Sequence, residues 1–181
     1  MKKNLLFLGC NHSQVRYLKV LKNQKWNIVG VDLNSDAPGK TLCDSFYNIG
    51  YDDLNNLIDI GKQEGFTKND KVFTAAAQFA QKGAAHFAEY FHIPYVSEHS
   101  IDLCLDKAAY YDYFLKTDIP IPPTWYVSNK DELNALIPNL DQTKWYYLKS
   151  DYSKNPNYVY RFHLSNVNFE IFFWGRDRYL R

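Results

Sequence analysis

The turn Gly9-Cys10-Asn11-His12-Ser13-Gln14 is the first place where this sequence sets residues that could do chemistry side by side. It follows the apolar run Leu5 to Leu8 and precedes a helical pattern. A small, polar turn there presents backbone amides and the Ser13 hydroxyl at a helix N-terminus, an arrangement that can hold a carboxylate or a phosphate. Gly9 is its only glycine, so the turn departs from the GxGxxG pattern that lets a pyrophosphate reach the backbone. An ordinary strand-to-helix turn is the simpler reading. Asp32 ends the second apolar run, Ile28-Val29-Gly30-Val31, where either a ribose-binding acid or a plain turn residue belongs. Lys149 closes the aromatic segment Trp145-Tyr146-Tyr147-Leu148, an unusual position for a lysine, with a snorkelling surface residue as the alternative.

Other chemistries are excluded. His12, His86, His92, His99 and His163 show neither HxxxH nor HExxH spacing, so no metal site is expected in the chain. Asp102 and Asp106 stand four apart, and acidic charge near a helix N-terminus explains them more simply than acid–base catalysis. Cys10, Cys43 and Cys104 form no CxxC pair and are odd in number, which predicts reduced thiols rather than zinc ligation or a disulfide framework.

The elements that would position these residues follow from periodicity. Leu5 to Leu8 and Ile28 to Val31 read as strands, with a helix from Ser13, its expected cap, to Lys22 between them. Asp44 to Ile49 reads as a third strand, Tyr51 to Gly65 as a helical stretch, Lys71 to Ala75 as a fourth strand, Phe79 to Phe91 as a helix, and Pro94 to Val96 as a fifth strand. Alternation of this kind predicts a parallel sheet covered on both faces. The rhythm then changes. A long helix is expected over Ile101 to Lys116, capped by Ser100 and broken by the prolines of Ile119 to Pro123. Thr124 to Val127 is expected as a strand, Ser128 to Ile137 as a helix, and Trp145 to Lys149 with Tyr158 to Phe162 as a hairpin. The fold class is therefore α/β, a Rossmann-like parallel sheet followed by a smaller α+β part with antiparallel strands. The expected boundaries are 1–98 for the first domain, 99–118 for a linker helix and 119–181 for the second.

Net charge is +1 with both signs interspersed, which predicts no nucleic-acid platform. No apolar run approaches the roughly 20 residues that span a bilayer, and the expectation is a cytoplasmic protein with no membrane partner. The aromatics concentrate after Tyr90 and are expected mainly in packing. The aromatic tail Phe169 to Arg181 lacks a stop signal, and a second part of about 60 residues would bury little surface, so a truncated sequence is expected.

The ordered series LGCNHSQ, VGVDLNSDAPGKTLCDSFYNIG, KVFTAA, HIPYVS, LDKAAYYDYFLKTDIPIPPTW and WYYLKSDYSKNPNYVYR, from Lys3 to Arg161, resembles the N-terminal half of ATP-grasp carboxylate–amine ligases, such as biotin carboxylase and the carbamoyl-phosphate synthase large chain. The resemblance implies a pre-ATP-grasp domain, then the beginning of a two-lobed nucleotide clamp. It implies ATP contacts from Lys107, the lysine of the Asp-Lys pair, and from Lys149, the strand-ending lysine, with Lys154 in the loop that covers the phosphates. It places the second substrate at the Gly9, Asn11, His12, Ser13 and Gln14 turn. It implies ATP and Mg²⁺ as cofactors and a small carboxylate as substrate, activated as an acylphosphate for attack by an amine or similar nucleophile. The family's metal-binding carboxylates and catalytic arginine would lie beyond Arg181, so this chain alone is not expected to complete the reaction. Two departures stand out. Ser150 replaces the usual proline, and the loop Asp151 to Asn157 contains no glycine, so side chains would bind phosphate there or the loop serves another purpose. An NAD(P)-type dinucleotide-binding oxidoreductase and a degenerate, non-enzymatic binding protein of the same fold are the alternatives, and an oligomer is left open.

Overall fold

A computed structural model of the chain describes residues 2–75, 77–149 and 159–166. The loop from Ser150 to Asn157, which includes Lys154, and the tail from Phe169 lie outside the described residues. The chain divides into two compact units, Met1–Asp102 and Leu103–Arg181.

In the first unit, β1 (Asn4–Leu8), β2 (Asn27–Val31), β3 (Ser45–Tyr47) and β4 (Lys71–Thr74) form a parallel sheet in the order β3-β2-β1-β4. The apolar runs of β1 and β2 have no polar alternation because both faces of the strands are covered. Leu6, Leu8, Val29 and Val31 point to one side and pack with Leu57, Ala84 and Phe87 from α2 (Leu54–Gln63) and α3 (Ala80–Tyr90). Leu5, Phe7 and Ile28 point to the other and pack with Leu18 of α1 (Val15–Asn23). Helices on both faces make the unit doubly wound. Because β1 is flanked by β2 on one side and by β4 on the other, the strand order reverses beside β1, and the crevice at the C-terminal ends of β1 and β4 is the topological switch point where such sheets bind ligands.

Two expectations for this unit are corrected. Pro94 to Val96 joins no sheet among the described residues, which therefore holds four strands. His92 takes a left-handed backbone (φ 55°) after α3, and the Ile93 amide returns to the Ala88 carbonyl at 2.8 Å, so the chain turns back on its helix. Pro94 then has no amide to give a ladder. The Ser13 cap is also absent. Helix α1 starts at Val15 behind Gln14, whose backbone is already helical, and the Ser13 hydroxyl bonds side chains instead.

The single helix expected over Ile101 to Lys116 is two helices, α4 (Glu98–Leu105) and α5 (Lys107–Phe114). Asp106 separates them. Its backbone is extended, and its carboxylate accepts the Ala109 amide at 3.0 Å, which caps α5. The cap at the start of α4 is Ser97, whose hydroxyl accepts the Ser100 amide, not Ser100. In the second unit Thr124 to Val127 forms no strand. Tyr111 fixes its approach instead, donating to the Pro122 carbonyl and accepting the Thr124 amide, both at 2.8 Å. Helix α6 (Lys130–Leu136) opens with a reciprocal capping box, in which Asn129 accepts the Glu132 amide at 2.9 Å and Glu132 accepts the Ser128 amide at 2.7 Å. The hairpin is antiparallel as expected, pairing β5 (Trp145–Lys149) with β6 (Val159–His163), Tyr147 opposite Arg161.

Candidate functional site

The residues singled out in the sequence fall into two groups, one in each unit. The first is the β1–α1 turn at the switch point. Gly9 has φ +91°, a conformation that favours glycine, and its amide bonds the Val31 carbonyl at 2.8 Å. The next amide, that of Cys10, points at Asp32 and donates to its Oδ2 at 2.6 Å, while Asp32 Oδ1 accepts the Asn34 amide at 2.9 Å. Both carboxylate oxygens are thus engaged by backbone. This arrangement bears on the dinucleotide alternative. In a pyrophosphate loop such an amide faces the ligand and the strand-end acid faces a ribose; here the two satisfy each other.

Gln14 is buried. Its Nε2 donates to the Ala75 carbonyl at 2.8 Å, tying the turn to the end of β4, and its Oε1 accepts the Ser13 hydroxyl. Gly9 and Gln14 are therefore the buried base of the turn, tied to the ends of β2 and β4. Asn11, His12 and Ser13 are exposed above it, with Asn11 Oδ1 accepting the Ser13 amide and hydroxyl.

The second group is in the second unit. Lys107 is the first residue of α5, directly after the Asp106 cap, and is exposed. Lys149 ends β5. Alternation along the hairpin puts Trp145, Tyr147 and Lys149 on one face with their cross-strand partners His163, Arg161 and Val159, and Tyr146, Leu148 and Phe162 on the other. The second face packs: Phe162 is buried, with its ring 6.0 Å from that of Tyr146. The first face is open. Trp145 is 55% and Tyr147 60% exposed, and the Arg161 guanidinium lies 4.2 Å from the centre of the Trp145 ring. Cations and flat π surface are therefore side by side on the face that carries Lys149.

Sequence reasoning missed what links Lys107 to Lys149. The Tyr126 hydroxyl donates to the Lys107 carbonyl at 2.8 Å, and the ring of the adjacent Trp125 meets Tyr146 of β5 edge-on at 6.3 Å. One dipeptide thus braces the helix start that carries Lys107 and the strand that carries Lys149. The signal was present as two adjacent aromatics one residue past the proline run, in a segment read as a strand.

Among the described residues no three His, Cys, Asp or Glu side chains come together to hold a metal ion, and no helix is long and apolar enough to cross a membrane.

No protein-family model matches the chain, and no curated protein matches it. Solved structures do. N5-carboxyaminoimidazole synthetase from Staphylococcus aureus, complexed with ADP, is similar over 90% of this chain and 42% of that one, with a TM-score of 0.72 and 14% identity. L-amino acid ligase from Bacillus licheniformis is similar over 94% of this chain and 41% of that one (TM-score 0.65, 12% identity). Phosphoribosylglycinamide synthetase from Anaerococcus prevotii is similar over 78% and 35% (TM-score 0.63, 19% identity). The chain spans 35% to 42% of the length of these three proteins. At such identities the likeness establishes the fold: a parallel-sheet unit followed by an antiparallel hairpin unit, shared with part of the ATP-grasp carboxylate–amine ligases that the sequence order resembles.

Proposed function

We propose that this chain is the N-terminal portion of an ATP-grasp ligase, in which ATP phosphorylates a substrate carboxylate and an amine or similar nucleophile then displaces the phosphate. The observation that carries the reading is the open hairpin face, which Lys149 shares with Trp145, Tyr147 and Arg161, while Lys107 begins a helix braced to the same strand. An ammonium group there neutralises phosphate charge as it shifts during transfer, and exposed aromatic rings offer a surface on which a base can stack. The ADP held by the similar Staphylococcus aureus synthetase supports nucleotide as the ligand class. Lys154, in the loop after Lys149, would add a third lysine. In the first unit, Asn11, His12 and Ser13 are the groups that would meet the carboxylate substrate, with Gly9 and Gln14 holding their turn in place. No described residue is assigned as a Mg²⁺ ligand. The engaged Asp32 carboxylate weighs against the oxidoreductase alternative.

Equilibrium dialysis with labelled ADP tests the reading. Saturable binding is expected, weakened about tenfold or more by Lys149→Ala and by Lys107→Ala, the scale of a lost hydrogen bond to a charged group. Identical retention of ADP by wild type and both variants would sink it.

A further inference from the structure

We propose that Cys43 and Cys10 are a hydroperoxide-oxidisable dithiol, which closes into a disulfide across Gly30 and staples the β1–α1 turn to the segment leading into β3. The inference rests on how the sheet brings the two sulfurs together and is independent of the nucleotide reading.

Cys10 directly follows the Gly9 bend at the end of β1, and Cys43 follows the short helical turn Lys40–Leu42. Strand β2 runs between β1 and β3, and Gly30 is its residue opposite Phe7 on one side and Phe46 on the other. A glycine inside a strand marks a close approach. Here the approach is by sulfur: a side-chain carbon on Gly30 would stand 2.3 Å from Cys43 Sγ and 3.2 Å from Cys10 Sγ. Both sulfurs border the space that a side chain on Gly30 would fill. The backbone holds them there, with the Gly39 amide donating to the Cys10 carbonyl at 2.7 Å and the Cys43 thiol donating to the Gly39 carbonyl at 3.5 Å.

The two cysteines are not equivalent. Cys10 is fully buried, while Cys43 is partly open to solvent. The hydrogen bond from Cys10 and the charge of Lys22 hold the Cys43 thiol below its ordinary range against the opposing effect of burial. The same hydrogen bond, together with burial and the Asp32 charge, pushes the Cys10 thiol well up. The solvent-open Cys43 thus supplies the attacking sulfur, giving up its thiol proton as it does so, and the buried Cys10 is the resolving thiol. The Cys43 sulfur attacks one oxygen of the hydroperoxide, an S–O bond forms, the O–O bond breaks, and the other oxygen leaves with a proton as water or an alcohol. The Cys10 sulfur then attacks the Cys43 sulfenic acid, the S–S bond forms, and the hydroxyl leaves as water with the Cys10 proton. Two thiols lose two electrons and the hydroperoxide gains them.

The test is peptide mapping of the full chain, reduced and then treated with one equivalent of hydrogen peroxide under native conditions. The expected product is tryptic peptide Asn4–Arg16 joined to Thr41–Lys62, lighter by two hydrogens and separated by reductant. Cys104→Ser should leave the yield unchanged, and Cys43→Ser, with its fold checked by circular dichroism, should leave Cys10 fully alkylatable. Cross-links only through the exposed Cys104, or sulfinic acid on Cys43 with Cys10 still reduced, would overturn the proposal. The wild-type map decides even if Cys43→Ser does not fold.

Discussion

An acid at the end of a parallel strand is available to a ligand only while its oxygens are free, and both oxygens of Asp32 accept backbone amides. Its work is structural: it satisfies the Cys10 amide in a fully buried position. Asp32→Ala should therefore lower stability by about 1–3 kcal/mol, the cost of an unsatisfied buried donor, measured by urea unfolding, and Asp32→Asn, which keeps an acceptor, should cost less. Equal stability of wild type and Asp32→Ala would show that the carboxylate is spare. Gly9→Ala forces a side chain into a left-handed backbone and should cost about 1–2 kcal/mol. The sequence left Asp32 open between ribose acid and turn residue, because which amide a carboxylate meets depends on a contact 22 residues away. Cys10 and Cys43 were unreadable as a pair for the same reason: only the sheet, with β2 between them, brings them over Gly30.

At the scale of elements, helix starts and stops follow local hydrogen bonds that periodicity does not encode. The apolar spacing runs on from Ile101 to Lys116, yet the extended Asp106 ends one helix and caps the next, and so makes Lys107 a first-turn residue. Asp106→Ala should destabilise α5 by about 0.5–2 kcal/mol, the usual worth of such a cap, seen as faster hydrogen exchange of the α5 amides with the β1 amides unchanged. Asp44 ties β2 to the start of β3 in a comparable way. Its carboxylate accepts the Ile28 amide at 2.9 Å and pairs with Lys22 at 2.8 Å. Partial burial pushes its acidity the other way, but these two partners prevail and hold the carboxyl below its usual range. A depressed folded-state value means that stability is present above the unfolded value, about 3.9, and is lost as pH falls through the lower folded one. Thermal unfolding should therefore show Asp44→Asn less stable than wild type near neutrality, with the gap closing below about pH 4. A gap that stays constant down to strong acid would contradict the assignment.

For the whole molecule, the alternation of apolar runs and helical patterns was enough to predict the doubly wound parallel sheet and the antiparallel hairpin, because burial on both faces and strand pairing leave strong periodic traces. The fifth strand and the strand at Thr124 failed because extended, apolar sequence is also what a side chain such as Tyr111 can hold without a ladder. Of the candidate site, the lysines are proposed from the order of motifs, while the Trp125-Tyr126 brace between them needed the fold. In the proposed function nucleotide meets the second unit, on the open hairpin face, and not the switch point of the first. An amide NMR titration of the full chain with ADP tests it most directly and reads even weak binding. The predicted result is shift changes at Trp145, Tyr147, Lys149, Arg161 and Lys107, with Gly9 to Gln14 and Asp32 unmoved. Shifts confined to the Gly9 turn and Asp32, or none at saturating ADP, would contradict it.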